Sequence, residues 1–259
     1  EWFKVEPIKW RILSENLDGS YQVCSMNILD ATTYCDYSYL RKIDDVDIYQ
    51  NNYKYSNIRA WLNGYNGEEY NIKDYTNKGF YDVGFKESEK EAIITIEVDN
   101  GTSSANPFAT QYVCDNTFDK VYLLSYQDMI NTDYGFSTNQ CEYDDARRGT
   151  TTDYSRSKGC DMPTNLENYG NANWWLRIPD NEYFSHVGCV SVYGYVDYID
   201  EVNKSFFGVR PAITIAKEGH IHSYTSEKIN STCTTDGYTI YTCSGCGDTY
   251  TDNYTNKLD

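Results

Sequence analysis

Apolar positions in this chain come in short alternating runs separated by polar stretches rich in Asn, Asp and Gly. The run "EPIKWRILSENLDGSYQVCSMNILD" (6–30) predicts two strands around an "NLDGS" turn, because Asp-Gly between β-formers favours a tight hairpin. Alternation would set Ile8, Trp10 and Ile12 on one face. "SNIRAWLNGY" (56–65) predicts a short amphipathic helix with Ser56 as N-cap, Ile58, Trp61 and Leu62 inward and Gly64 as the stop. "FKESEKEAIITIEV" (85–98) predicts a second helix capped by Ser88, with Ala92 and Ile93 inward, before it turns β-branched. Residues 99–107 read as a loop. "DKVYLLSYQDM" (119–129) reads as a buried strand over 121–124 and a helix from Ser125.

Residues 131–173 are polar and show little periodicity, so they are expected to be a long loop, a feature that tends to be functional. Strand character returns in "WWLRIP" (174–179), "HVGCVSVYGYVDYI" (186–199) and "FFGVRPAITIA" (206–216). Pro211 must then lie at an edge or a bulge. Alternation places Trp174 and Leu176 on one face of their strand and Trp175 and Arg177 on the other. One tryptophan is therefore expected in the core, the other outward, with Arg177 pairing an acid.

The strand pattern ends at "AKEGH" (216–220), which divides the chain into a domain over 1–217 and a small Thr-, Tyr- and Cys-rich module over 218–259. The fold class expected is α+β: two short helices, twisted antiparallel sheets and long loops, followed by a small β-rich C-terminal module.

Charge and composition narrow the functions. The net charge of −17 would repel a phosphate backbone, so nucleic acid is not an expected partner. No apolar run approaches the roughly 18–20 residues needed to cross a bilayer. Aromatics make up 16% of the chain and include 27 tyrosines, side chains that serve both cores and recognition surfaces. The three histidines leave only His186 as an acid or base for the main domain, and no hydrolase or zinc-protease motif frames it.

The ordered set "EPIKWRIL", "SNIRAWLN", "GFYDVGFKESEKEAI", "DKVYLLS", "WWLRIP" and "GVRPAI" resembles the bacterial domain of unknown function 6273 over about residues 1–217. That family is common in modular, exported proteins of gut Firmicutes, so the resemblance implies an extracellular or cell-surface place beside further domains of the same polypeptide. Ile178, Pro179 and Asp180 stand where the family usually has Ser-Pro-Gly. The family's layout is similar to the C-type-lectin-like fold in its formylglycine-generating-enzyme branch. The likeness implies that the first and last strands pair and that the late loops form the ligand surface. The tail resembles a Cys/His repeat of such surface proteins, with a His-x-Tyr, a Thr-Cys and a Tyr-x-Cys-x-x-Cys-Gly that His222, Cys233, Cys243 and Cys246 match.

Two readings of the tail stand. His222, Cys233, Cys243 and Cys246 make a Cys3His set for zinc, which would replace the core that so short a module lacks. Alternatively, two of the cysteines form a disulfide, as an oxidising medium would favour. In the main domain Cys141 and Cys160 are a candidate pair, and Asp180 in "IPDN" is a candidate calcium ligand. No cofactor is otherwise expected there.

Recognition without catalysis is the leading functional reading. Tyr183, Phe184, His186, Tyr193, Tyr195, Asp197, Tyr198 and Asp200 mix rigid aromatics with short polar groups, as binding loops do, and would contact a glycan or a protein. Tyr195 and Asp197 share one face by the two-residue period. The alternative is a carbohydrate-active or oxidative enzyme with its site within 135–205.

Overall fold

In a computed structural model, which describes residues 6–37, 39–68, 72–107, 110–164, 167–196, 198–217, 224–244, 247 and 249–258, the first hairpin forms as the Asp-Gly signal predicts. Strands β1 (Trp10–Glu15) and β2 (Tyr21–Ser25) pair antiparallel, and Gly19 takes the left-handed backbone of the turn at φ 82°. The simple alternation fails within β1. The register shifts between Ile12 and Ser14, so the bulge turns Leu13 into the core and leaves Ile12 62% exposed.

The chain continues through β3 (Asn27–Ile28), β4 (Asp30–Ala31), β5 (Arg41–Ile43) and β6 (Val46–Ile48). Helix α1 (Asn57–Asn63) follows, capped by Ser56 Oγ on the Arg59 N–H and ended by Gly64 in the left-handed region. Next come α2 (Phe80–Gly84) and α3 (Glu87–Lys90). Ser88 lies inside α3 rather than at its cap, because the Glu89 carboxylate reaches back to the Lys86 N–H at 2.8 Å and starts the helix earlier. Ile93 accordingly belongs to β7 (Ile93–Ile94), which is followed by β8 (Ile96–Val98), β9 (Thr117–Asp119) and β10 (Val121–Tyr122).

Helix α4 (Tyr126–Met129) begins at Ser125, whose hydroxyl accepts from the Asp128 N–H while Asp128 accepts from the Ser125 N–H. The stretch expected as one loop is instead subdivided by a 3₁₀ turn (Thr132–Tyr134), β11 (Gly149–Thr151), α5 (Asp153–Ser157) and β12 (Asn171–Ala172). Then come β13 (Trp174–Pro179), β14 (His186–Val190), β15 (Tyr198–Glu201), β16 (Gly208–Val209) and β17 (Ala212–Ile215). The tail forms β18 (Tyr224–Ile229), β19 (Gly237–Cys243) and β20 (Thr249–Thr255), an antiparallel sheet in that order. The fold is α+β, with five short α-helices among the described residues where two were expected.

Two five-stranded sheets organise the region before the tail. In one, β17 pairs with β2 along one edge and with β10 and β7 along the other, so the last strand before the tail closes onto the first hairpin. The other runs β15-β14-β13-β16-β4. Pro211 falls between β16 and β17, where the chain leaves one sheet for the other and no ladder needs its missing N–H.

All six residues of β13 are buried, which corrects the expectation of one outward tryptophan. The strand is paired on both edges and its register shifts between Trp175 and Pro179, so alternation does not separate an inner from an outer face. Trp174 lies under Arg210, whose guanidinium carbon is 4.6 Å from the ring centre, and donates from its indole N–H to the Arg147 carbonyl at 3.1 Å. Trp175 packs on Phe207 and Tyr34 and donates to the Thr32 carbonyl at 2.8 Å.

Buried arginines explain how so polar a sequence stays ordered. Arg177 pairs with Asp128 at 3.1 Å, as its position suggested, and also donates to the carbonyls of Leu123 and Asp99. Arg210 donates to Ser25, Arg147 and Arg148 carbonyls. Fully buried Arg147 donates to the carbonyls of Met129, Ser137, Asn139 and Gly194, and Asp144 lies 3.3 Å from it. A planar fork of five N–H groups can serve several carbonyls at once, so one side chain pins loops that have no apolar face of their own. The described core does not rest on disulfides: Cys24, Cys35, Cys114 and Cys160 are free thiols, which removes the expected Cys141–Cys160 pair. Burial pushes the Cys160 thiol up to about 12, the behaviour of an inert core cysteine.

Candidate functional site

Three segments far apart in sequence meet at the start of β14. The turn entering β14 exposes Tyr183 and Phe184, the segment after β6 contributes Tyr49, and the loop before β9 contributes Tyr112. Ring centres of Tyr112 and Tyr49 lie 4.9 Å apart, Tyr49 and Phe184 6.0 Å, and Tyr183 and His186 5.0 Å. Tyr183 and Phe184 are consecutive, so the Tyr112–Tyr49–Phe184 group and the Tyr183–His186 pair adjoin along the chain as two parts of an aromatic wall.

Backbone bonds hold the wall in shape. Asn51 donates its N–H to the Phe184 carbonyl at 3.1 Å and its side-chain amide to the carbonyls of Tyr183 and His186 at 3.2 and 3.0 Å. Asn181 Oδ1 accepts from the Gln111 N–H at 3.1 Å, which ties in the segment that carries Tyr112. Loops locked in this way lose little entropy when a ligand arrives.

Asp180 has a structural task in the same turn. Its two carboxylate oxygens accept from the Asn181 and Tyr183 N–H groups at 2.8 and 2.9 Å, so the side chain proposed as a calcium ligand shapes the turn. Among the described residues no group of three or more His, Cys, Asp or Glu side chains is placed to hold a metal.

Gln50 and Ser185, the sequence neighbours of these residues, line a cleft of about 160 Å³ with Glu201 and Asn203. Ser185 Oγ lies 3.2 Å from His186 Nδ1. Lys204, 2.9 Å from Glu201, holds that carboxyl below its usual range. The Glu182 carboxylate raises the Tyr183 phenol. Amide, hydroxyl and carboxylate groups beside exposed rings can exchange hydrogen bonds with a polyhydroxylated ligand whose apolar faces stack on the wall.

Of the other expected residues, the described side chains of Tyr193, Tyr195 and Asp200 do not join this wall. Tyr193 and Tyr195 stack at 5.5 Å in the turn between β14 and β15. Five-residue β14 separates them from His186 by roughly 17 Å. That turn is fixed by Ser191 Oγ, which accepts from the N–H groups of both tyrosines, and by the Asp144 N–H on the Tyr193 carbonyl. Gly194 at its tip has φ 84°, and a Cβ there would meet the Asp144 carbonyl oxygen at 2.3 Å. Asp200 is opposite Val187 and accepts from the Glu201 N–H at 2.8 Å, so it serves the backbone locally. Tyr198 pairs with Cys189 across the β14–β15 ladder, and its side chain lies outside the described part. Asp197 lies outside the described residues.

In the tail, Cys233 is exposed and Cys243 is buried at the end of β19, while His222 and Cys246 lie outside the described residues. Sequence reasoning missed Tyr49, Tyr112, Gln50 and Asn51. They sit in polar connections without periodicity, and only the fold brings them to β14.

The family model described as Domain of unknown function (DUF6273) matches residues 9–217. The chain belongs to this family. The match takes in the aromatic wall and both five-stranded sheets, whereas β18, β19 and β20 follow it. The six motifs that carry the resemblance include the arginines Arg177 and Arg210, whose role in this DUF6273 domain is to bind backbone carbonyls in the interior. No curated protein and no solved structure matches the chain.

Proposed function

We propose that the DUF6273 domain is a non-catalytic glycan-binding module of an exported or cell-surface protein. The observation that carries this reading is the wall of Tyr112, Tyr49, Phe184, Tyr183 and His186, which three hydrogen-bonded loops hold at ring separations of 4.9 to 6.0 Å. Sugar rings present apolar faces that stack on such side chains and hydroxyls that pair with amides and carboxylates such as Gln50, Asn203 and Glu201. The C-type-lectin-like reading is supported by the loop-built wall, whereas the expected pairing of first and last strands is replaced by β17 on β2, the second strand, with β1 at the sheet edge. The exported setting rests on the family resemblance and on the Cys/His character of the tail.

A glycan array probed with the full chain tests the reading, with bound glycans analysed afterwards for reaction products. Selective retention of unaltered glycans supports it. A turnover product would replace it with the carbohydrate-active enzyme alternative, and binding confined to protein ligands would replace glycan with protein recognition.

A further inference from the structure

A second cleft, of about 330 Å³, shares no lining residue with the wall and lies where the first hairpin, β8, β10 and α4 meet. Polar side chains reach it from separate elements. Tyr122 on β10 and Thr214 on β17, 2% and 1% exposed, bring their hydroxyls to 3.4 Å from each other. Gln22 on β2 accepts from the Tyr134 hydroxyl at 2.7 Å. Buried Arg177 and its partly exposed partner Asp128 form another part of the lining, and Glu97 on β8 stands at the cleft as well.

The hydrogen-bonding capacity of these groups is only partly used. Asp128 directs one oxygen, Oδ2, at both the Ser125 N–H and Arg177, and its Oδ1 has no protein donor among the described residues. Glu97 engages Oε1 with the Asn116 amide and keeps Oε2. Gln22 uses its carbonyl oxygen twice, for Tyr134 and Ser14, which leaves its NH₂ as a donor near the Tyr122 hydroxyl. Asp99 is occupied by its own turn, accepting from the Gly101 N–H and the Ser103 hydroxyl.

Charge then selects the ligand class. Glu97, Asp99 and Asp128 face a single cation, Arg177, so the lining carries an excess of negative charge within a chain of net charge −17. A phosphate or carboxylate would be repelled, whereas an ammonium group gains from both free carboxylate oxygens. The volume is near the lower end of small-ligand pockets, roughly 300–1,000 Å³, which suits one sugar ring and not a chain of them. We propose that this cleft binds a single amino sugar, with its ammonium group between Asp128 and Glu97 and a hydroxyl on Gln22, while Tyr122 and Thr214 form the buried floor. The site shares no residue with the aromatic wall, so it does not rest on the reading given for that wall.

Isothermal titration of the full chain at about pH 6 with glucosamine, N-acetylglucosamine and glucose tests the proposal. Glucosamine is expected to bind at least about tenfold more tightly than the two neutral sugars and to lose affinity as salt rises. Glu97→Gln, at an exposed position, should weaken glucosamine roughly fivefold without affecting folding, and Phe184→Ala in the wall should leave it unchanged. Equal affinity for all three sugars, no binding of glucosamine, indifference to Glu97→Gln, or loss on Phe184→Ala would each overturn it.

Discussion

The side-chain amide of Asn51 donates to the main-chain carbonyl of His186 at 3.0 Å, and through this bond a residue after β6 fixes the loop that presents the aromatic wall. Asn51 is fully buried, and its Oδ1 has no partner among the described residues. Its value to the fold therefore lies in donation.

Asn51→Ala should cost about 2 kcal/mol, because the Tyr183 and His186 carbonyls lose their donor in a buried setting. Asn51→Asp should cost more than Ala, since a buried carboxylate would face those carbonyls. Urea unfolding of the two variants checks the order. Asp tolerated better than Ala would contradict the donor role.

Arg147→Lys should destabilise the domain by about 3 kcal/mol or more, although charge is conserved. A compact ammonium with three donors cannot span the carbonyls of Met129, Ser137, Asn139 and Gly194. Urea unfolding measures the loss, and hydrogen exchange should show it concentrated in 131–147 and the Tyr193–Tyr195 turn.

Asp30 on β4 supplies a pH dependence. Burial raises its carboxyl to about 6, against the opposing influence of the Ala31 N–H and of Lys158. The folded state thus holds a proton that the unfolded state, near 3.8, gives up earlier. The contribution of Asp30 is fully present below about pH 4 and is lost as pH rises through 6, at about 1.4 kcal/mol for each pH unit that separates the folded and unfolded carboxyls. Asp30→Asn should remove that slope and stabilise the domain near pH 7 by about 2–3 kcal/mol. Thermal melts between pH 4 and 7 check it, and parallel profiles for both proteins would contradict it.

The tail is proposed to bind zinc through His222, Cys233, Cys243 and Cys246. Metal analysis of the full chain, purified under reducing conditions, should give one zinc per chain, and Cys243→Ser should abolish it. A metal-free chain whose tail keeps its sheet under those conditions would contradict the zinc reading.

Local chemistry explains which features were legible in the sequence. The first hairpin, α1 with its Ser56 and Gly64 ends, and the Ser125 start of α4 depend on neighbouring residues only, and all were visible. The bulge at Leu13 and the burial of both faces of β13 depend on what packs against those strands, so alternation misplaced Ile12 and Trp175. Residues 131–173 read as a bare loop because their order comes from Arg147 and backbone carbonyls instead of an apolar stripe. At the candidate site, Tyr183, Phe184 and His186 could be chosen by residue type. Tyr49, Tyr112 and Asn51 could not, since nothing near them in sequence sets them apart and only tertiary contacts bring them to β14.

The most direct test of glycan recognition by the aromatic wall is a calorimetric titration of an array-selected glycan into the full chain, Tyr49→Ala and Phe184→Ala. Each ring contact of this kind contributes about 0.5–1.5 kcal/mol, so each variant should bind up to about tenfold more weakly while unfolding at nearly the same urea concentration. Unchanged affinity in both variants, with the glycan still bound, would contradict the account.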